Sequence, residues 1–462
     1  MSEVITIIST GSIQEYIFRS NRLRDNVGGS ALLEKAFEDL QKSHPQECVL
    51  SKGAQAVLIF ASEDQAREAV RKWSGDQMKK GIEARFTAYH QPVDGHWGKA
   101  YDEAKCRLAI RESEPPWGSP LQALPLTRTC QASGLAATAR DREEWVSTDI
   151  AKRRQHQPDN TENKYDYPVE LENLGIRDGA SQIALVHVDG NGFGRIFSEL
   201  PGTREEFREE LKKLSKEVDN LLGAAFDAMC TALDASITGW QETGIVKIDR
   251  KDKPKLLPLR KIVGAGDEAT WVCAGRLGML TAVKFLQELE ARAKRSKIEA
   301  LQKATGCAGV LIMPKGFPFS RAYKLTEELC GQAKTKRRKD GKEGSWLDVH
   351  AVIEGHAGSV GETREVYYRD SDGNLLTQER PWRVDEGWEK VQEHWRYFQD
   401  WPRSRAKALL QRFPLGYEAV DELVKLYRDQ GYPLPSTGSP RELFDALELL
   451  DLHAEWQPEG NQ

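Results

Sequence analysis

Three acidic residues stand beside glycine-rich turns at two places in the chain, and this pattern is typical of metal-ion chemistry. Asp189 follows an apolar run over residues 183–188 and precedes the glycine-rich segment 190–194. Asp267 and Glu268 follow a glycine and lead into a second short apolar stretch. Clustered carboxylates suit Mg²⁺, because this ion prefers hard oxygen ligands and commonly shares its coordination shell with substrate phosphates. Two such ions can activate an attacking hydroxyl and stabilise a leaving pyrophosphate.

Each acid also has an ordinary structural interpretation. Asp189 could cap a helix, and Asp267 and Glu268 could be polar residues of a hairpin turn. Taken together, three acids at a strand end and in a hairpin turn are harder to explain in this way. Like charges held this close raise each other's pKa unless a cation neutralises them. We therefore interpret Asp189, Asp267 and Glu268 jointly as catalytic residues and metal ligands.

Several segments resemble those of a known protein family. Residues 189–194 read DGNGFG, which is similar to the DGDNxG segment in the second palm of the large polymerase/cyclase subunit of type III CRISPR complexes. Residues 265–268 read AGDE, where that family has GGDD and the diguanylate cyclases, which share the palm, have GGDEF. Lys334 follows an alanine late in a predicted helix. It resembles the lysine of an Ala-Lys pair that these families place on the triphosphate. Residues 13–18 and 23–33 are similar to the start of the same subunit's first palm.

The resemblance implies a function for these residues. It implies an antiviral second-messenger enzyme that uses Mg²⁺ or Mn²⁺ to convert ATP, or another nucleoside triphosphate, into a cyclic or linear oligonucleotide. The three acids would hold the metal ions, and glycines would let backbone amides approach the triphosphate without interference from Cβ. The residues expected at the nucleotide are Gly190, Asn191, Gly192, Phe193, Gly194, Gly266 and Lys334. The first palm has no acidic hairpin after residues 58–62, so we expect it to bind the acceptor nucleotide.

Departures from the family keep other functions open. Ala265 replaces the first glycine of the family's hairpin, and Glu268 replaces an aspartate. Cys130 and Ser133 stand where a zinc knuckle has two cysteines, so we expect no structural zinc. The chain contains no His-Asp dipeptide, so the family's nuclease domain is not expected. One alternative is a catalytically degenerate scaffold subunit of an RNA-guided effector complex, and a weaker one is a signalling enzyme similar to diguanylate cyclases.

Composition narrows the cellular setting. The 462 residues carry a net charge of −5, so no global basic field attracts nucleic acid. The seven cysteines form no Cys-x-x-Cys motif, which is typical of a reducing compartment. No apolar run approaches the roughly 18 residues of a membrane span. We expect a cytoplasmic protein whose partners are nucleoside triphosphates and, by the resemblance, RNA or an RNA-guided complex, or a second copy of the chain.

Hydrophobic periodicity predicts an α+β fold with two ferredoxin-like palm domains and a C-terminal helical domain. The expected domains are a first palm-like domain (1–112), an irregular linker with a degenerate zinc knuckle (113–178), the catalytic second palm (179–356) and a mostly helical domain (357–462). Ser30 is expected to cap a helix. Residues 336–338 are expected in a loop.

Two side chains near these motifs have more than one expected role. His187 lies two residues before Asp189, and we interpret it as a core histidine in preference to a ligand. Gln14 could contact RNA, a nucleotide or the other palm, or it could be an amide on the surface of a helix. Arg24 and Ser30 are weaker candidates for a second nucleotide site.

Overall fold

The computed structural model of the chain describes residues 2–11, 13–114, 127–158, 164–175, 182–197, 199–352, 358–377, 379–435 and 440–457. The N-terminal elements are β1 (Val4–Thr10), α1 (Ile13–Ile17), α2 (Leu23–Ser43), β2 (Cys48–Lys52), β3 (Gln55–Phe60), α3 (Glu63–Lys79), β4 (Phe86–Pro92) and α4 (Trp97–Ser113). A small hairpin and a helix follow: β5 (Ala139–Asp141), β6 (Glu144–Val146) and α5 (Thr148–Gln155).

A larger set of strands and helices forms the second half of the chain. These elements are β7 (Gln182–Asn191), α6 (Phe193–Ile196), α7 (Arg204–Glu242), β8 (Leu259–Ala265), β9 (Glu268–Ala274), α8 (Gly278–Ala293), β10 (Thr305–Pro314), α9 (Phe319–Asp340) and β11 (Trp346–Ala351). The C-terminal elements are α10 (Val360–Tyr367), β12 (Trp382–Arg383), α11 (Glu386–Gln399), α12 (Arg403–Leu410), α13 (Tyr417–Asp429) and α14 (Pro440–Glu448).

Two sheets share one strand order. The first is antiparallel with the order β2-β3-β1-β4, which a β-α-β-β-α-β chain produces in the ferredoxin-like fold. The second has the order β12-β11-β10-β7-β9-β8, and its part β10-β7-β9-β8 repeats the first sheet's arrangement. Strand β11 runs parallel beside β10 and extends this sheet. The structure therefore confirms the α+β class with two palm-like sheets and a helical C-terminal part.

One hydrophobic cluster joins the two sheets. Ile183 and Leu185 of β7 pack in it with Val27 and Leu33 of α2, and all four side chains are buried. Fully burying a side chain of this size stabilises a fold by about 1.5–3 kcal/mol. Helix α2 of the first palm is thus packed against the second sheet, which holds the two palms together.

The start of helix α2 differs from the expectation. The helix begins at Leu23, so Ser30 lies inside it and does not cap it. Gly28 and Gly29, which precede Ser30 within the helix, are both packed closely against Arg153. A Cβ at Gly28 would lie 2.0 Å from the carbonyl oxygen of Arg153, so the backbone of α5 rests directly on the helix at this glycine.

One helix in the described part of the chain, α7, has the length and hydropathy of a membrane span. Its apolar side chains pack against the second sheet and α8, among them Phe226, Met229 and Leu233, which are buried. In this structure α7 is a core helix.

The C-terminal tryptophans belong to the same core. Trp382, Trp388, Trp395 and Trp401 are all buried in it.

Candidate active site

Strands β7 and β9 place two of the predicted acids side by side. Strand β7 continues to Asn191, so Asp189 lies within the strand and does not end it as expected. In the antiparallel ladder Asp189 is directly opposite Glu268, the first residue of β9. One carboxylate oxygen of each acid and one ring nitrogen of His187 all lie within 4.8 Å of one another. The fold therefore brings together two acids that are far apart in sequence.

Asp267 occupies the turn beside this pair. Its backbone carbonyl accepts a 2.9 Å hydrogen bond from the backbone amide of Gly190, which ties the turn to β7. Burial and then the charge of Asp189 raise the pKa of Asp267. Burial, followed by the charges of Asp189 and Asp267, raises the pKa of Glu268 to about 7. All three acids thus interact electrostatically, although only two of them belong to the close cluster with His187.

The turn between β8 and β9 accommodates Ala265, which stands where the family has the first glycine of its hairpin. Gly266 has a φ of 64°, a left-handed conformation that favours glycine. Ala265 is the last residue of strand β8 and is paired with Glu268. The glycine-dependent backbone position is therefore occupied by a glycine, and the alanine lies in a strand.

The glycine-rich segment after Asp189 is partly structural. Phe193 is fully buried in the core, so its side chain lies away from any surface where a nucleotide could bind. A Cβ at Gly190 would lie 2.3 Å from the Phe193 ring, so this glycine is explained by packing. Gly192 and Gly194 are exposed, and no atom lies within 4 Å of the place where their Cβ would stand. These two positions offer backbone that a ligand can approach.

Lys334 lies next to the acids. Its ammonium forms an ion pair with the carboxylate of Asp189. Burial lowers the pKa of Lys334, but the hydrogen bond and the charge of Asp189 outweigh it and raise the pKa above its ordinary value. Lys334 therefore holds a positive charge at the acidic cluster.

Helix α9 contributes two further charged residues that the sequence reasoning missed. The charge of Glu327 contributes to the raised pKa of Glu268, and Arg337 lines a cavity beside Gly192. They stand seven residues before and three residues after Lys334, so helical spacing from that lysine could have found both.

The basic run after Lys334 is helical, contrary to the expected loop. Helix α9 continues through residues 336–338 to Asp340 and ends at Gly341, which has a φ of 61°. Lysine and arginine favour helix, and a left-handed glycine is a common helix end.

His187 is a buried histidine beside the site. Its Nδ1 lies 2.9 Å from the Thr270 hydroxyl, and burial lowers its pKa to about 4. Tyr323 packs edge-on against its ring, with 5.3 Å between ring centroids. The Gln14 side chain of the first palm lies beside Tyr323, and Phe18 stacks on the Tyr323 ring with 4.8 Å between ring centroids. Of the expected roles of Gln14, the structure thus shows the contact with the other palm.

One cavity borders the acidic hairpin, and a second lies beside the glycine-rich segment that follows Asp189. One of about 450 Å³ lies between this hairpin and the β2–β3 turn of the first palm, and its walls include Gly53, Gly266 and Glu268. The other, of about 360 Å³, is lined by Gly192, Lys303 and Arg337 among others.

The strand order shows which turn of the first palm corresponds to the acidic hairpin. It is the turn between β2 and β3. The corresponding turn was expected after residues 58–62, which is the end of β3, and this expectation was wrong by one strand. Strand β2 had not been predicted, and the true counterpart, residues 53–54, contains glycine and alanine but no acid.

The degenerate zinc knuckle at Cys130 and Ser133 in the linker forms a small hydrogen-bonded turn. Burial raises the pKa of Cys130, but hydrogen bonds from Ser133 and from backbone amides outweigh it and lower the pKa. The Ser133 hydroxyl donates to the Ser147 hydroxyl at 3.3 Å, and the buried Ile150 packs against Cys130. Hydrogen bonds and apolar packing hold this turn.

The donor set at the acids fits a divalent cation that prefers oxygen. Asp189, Asp267 and Glu268 supply carboxylates. Burial, followed by the charge of Asp189, raises the pKa of Asp267 and of Glu268, and a cation would neutralise that charge. His187 is less suited to Mg²⁺, because its ring supplies nitrogen and already bonds Thr270.

Comparisons with known proteins bear on the fold. No protein-family model and no curated protein matches the chain. Solved structures that do match include the Csm1-Csm4 cassette in complex with pppApA (TM-score 0.56, 14% identity) and with one ATP (TM-score 0.55, 14% identity). The Csm1-Csm4 subcomplex in the type III-A CRISPR-Csm interference complex matches with a TM-score of 0.53 at 15% identity. These alignments cover 97–98% of this chain and 69–70% of the other chain. The chain therefore has the fold of Csm1, the fold expected from its resemblance to the large subunit of type III CRISPR complexes.

Proposed function

We propose that the chain is a palm-type nucleotidyltransferase that converts ATP, or another nucleoside triphosphate, into a cyclic or linear oligonucleotide second messenger in antiviral defence. The observation that carries the proposal is the pairing of Asp189 with Glu268 across two strands, with Lys334 in contact with the first acid. Structures with the same fold are of cassettes in complex with ATP, pppApA and cA4, which supports a nucleotide substrate.

The three acids would hold Mg²⁺ or Mn²⁺, and the bound ions would activate the attacking hydroxyl and stabilise the leaving pyrophosphate. Lys334 carries a positive charge beside Asp189, where it can bind phosphate oxygens. Gly192 and Gly194 expose backbone next to this lysine's helix. His187, which burial holds neutral, forms a hydrogen bond with Thr270 that joins strands β7 and β9 beside the acids.

The two cavities provide separate places for the two nucleotides. The cavity beside Gly192 contains the cations Lys303 and Arg337, which suit a triphosphate. The cavity between the two hairpins borders Glu268 and suits an acceptor nucleotide, whose hydroxyl would attack the α-phosphate. In this arrangement one chain holds donor and acceptor, with the first palm as the acceptor side.

The alternative is a scaffold subunit without catalysis inside an RNA-guided complex. A related fold does occur in the type III-A interference complex, which favours association with such a complex. Against a purely structural role, a scaffold gains nothing from three acids whose proximity and burial disfavour their charged forms. We therefore propose an enzyme that works in the cytoplasm as part of, or alongside, an RNA-guided complex. The division into a first palm (1–112), a linker (113–178), a catalytic palm (179–356) and a helical domain (357–462) belongs to this proposal.

Substitutions at two of the acids test the assignment. Asp267→Asn and Asp189→Ala should each abolish product formation from labelled nucleoside triphosphate while leaving the circular dichroism spectrum unchanged. Asp252→Asn is the matched control, because Asp252 is exposed in the loop before β8. Wild-type turnover by Asp267→Asn would contradict the metal-ligand role. Loss of activity in Asp267→Asn but not in Asp189→Ala would mean that the site is not built across β7 and β9.

A further inference from the structure

The helix that carries Lys334 begins against the first palm. Helix α9 starts at Phe319, and its N-cap residue is Pro318, whose side chain offers no hydrogen-bond acceptor. The acceptor comes instead from Asn21, which follows α1 in the first palm. The Oδ1 atom of Asn21 accepts a 3.1 Å hydrogen bond from the backbone amide of Phe319. Side-chain acceptors at a helix start satisfy amides that have no partner inside the helix, so the first palm caps α9.

Two further contacts join the same segments. Phe18 of the first palm stacks on Phe319, with 6.3 Å between ring centroids, and on Tyr323, with 4.8 Å. All three rings are buried in the hydrophobic cluster that joins the two sheets. The side chain of Gln14, four residues before Phe18, lies beside Tyr323 as well. The segment 14–21 of the first palm thus holds the start of α9 at three points.

Tyr323 also contacts the strand of the first acid. Its ring meets the ring of His187 edge-on, with 5.3 Å between centroids, and His187 stands two residues before Asp189 on β7. Burial, followed by the charges of Glu268 and Glu327, raises the pKa of Tyr323. The phenol is therefore close enough to Glu268 to feel its charge. One side chain links the first palm to the strand pair that bears the acids.

Helical spacing places Tyr323 and Lys334 on one face of α9. They are eleven residues apart, which at about 3.6 residues per turn is close to three full turns. Lys334 forms its ion pair with Asp189 of β7, and Tyr323 packs on His187 of the same strand. A shift at the start of the helix would therefore move the lysine relative to the acid.

We propose, on the basis of the nucleotidyl transfer proposed above, that Tyr323 is a positioning residue of the catalytic centre. Through it the first palm fixes His187 and the helix of Lys334 relative to Asp189. Such alignment matters because a misplacement of about 1 Å can cost on the order of a hundredfold in rate. The first palm then sets the geometry of the acids and the lysine in addition to holding the acceptor nucleotide.

Steady-state kinetics of the full chain, at a temperature where every variant is folded, tests the proposal. Tyr323→Leu removes the ring and should lower kcat at least about tenfold. Tyr323→Phe keeps the ring and loses only the hydroxyl, so kcat should fall only about threefold. The KM for the triphosphate should change less than kcat in both variants, because Tyr323 holds the catalytic groups in place and does not bind phosphate.

Substitutions in the first palm test whether the effect passes through Tyr323. Gln14→Ala should lower kcat about as much as Tyr323→Phe, and the double variant should be no slower than Tyr323→Phe alone, because both changes remove the same contact. Glu15→Ala is the matched control, since Glu15 is exposed on the same helix, and its kcat should equal that of wild type.

Urea unfolding of each variant separates positioning from a structural role. Losses of activity that match the unfolded fraction of each variant would assign Tyr323 a structural role only and overturn the proposal. Wild-type kcat in Tyr323→Leu, or in both Tyr323→Phe and Gln14→Ala, would also overturn it. If Tyr323→Leu does not fold, the Tyr323→Phe and Gln14→Ala cycle decides. Absence of product from wild type would contradict the proposed function itself, and the positioning role with it.

Discussion

Glu268→Gln should stabilise the metal-free chain while it removes activity. Glutamine keeps the size of the side chain and removes the charge that burial, followed by Asp189 and Asp267, disfavours. The pKa of Glu268 is raised from its ordinary 4.5 to about 7, so the folded state holds its proton more tightly than the unfolded state. The ionised carboxylate therefore destabilises the fold progressively as pH rises from the unfolded pKa to the folded pKa, and fully above it.

The size of the effect follows from the same pKa values. The difference between 4.5 and about 7 corresponds to about 3 kcal/mol of unfolding free energy above neutral pH. Glu268→Gln should thus be more stable than wild type by up to about 3 kcal/mol at pH near 8. Near pH 4.5 both folded chains carry a neutral side chain at this position, so their stabilities should nearly coincide.

Urea unfolding in EDTA at these two pH values measures the difference. Glu209→Gln, at an exposed position on α7, is the control and should change stability little at either pH. Added Mg²⁺ should stabilise wild type more than Glu268→Gln, because a cation neutralises the same repulsion. Equal stability of Glu268→Gln and wild type near pH 8 would refute the raised pKa of Glu268, which burial and then the charges of Asp189 and Asp267 cause.

Further predictions concern neighbouring features. Lys334→Ala should weaken triphosphate binding several-fold and should weaken any RNA binding by a smaller factor. Unchanged nucleotide affinity in calorimetry would mean that Lys334 is an ordinary surface residue with no role in triphosphate binding. No zinc should copurify, because Ser133 occupies the position of the second knuckle cysteine after Cys130; one equivalent by elemental analysis would contradict this. Asp348→Ala should lower the unfolding free energy by about 3–5 kcal/mol, since it leaves the buried Arg364 without its ion-pair partner; a loss below about 1 kcal/mol in urea unfolding would show that the pair is dispensable. Activity per chain should stay constant on dilution, and a steep fall would mean that two second palms face each other across a homodimer.

The site was predictable where local pattern and turn chemistry determine it. The apolar run before Asp189 and the short apolar stretch after Glu268 predicted the two strands, and the glycine before Asp267 predicted the turn. The local sequence pattern does not determine the strand register that places Asp189 opposite Glu268. That register follows from packing of the whole sheet.

Other features depend on contacts between distant segments. Ser30 was expected to cap a helix, but the helix already begins at Leu23, and Gly28 inside it admits the backbone of Arg153. Strand β2 was missed because it is short and contains Ser51 and Lys52, and with it the turn of the first palm that faces the acids.

The central claim is most directly tested by incubating the purified chain with each labelled nucleoside triphosphate and Mg²⁺ or Mn²⁺, alone and with an RNA-guided complex. We expect metal-dependent release of pyrophosphate together with a cyclic or linear oligonucleotide, and no product in EDTA or from Asp267→Asn. Absence of product from every nucleotide under all of these conditions, with the chain folded and bound to the complex, would contradict it and favour the scaffold.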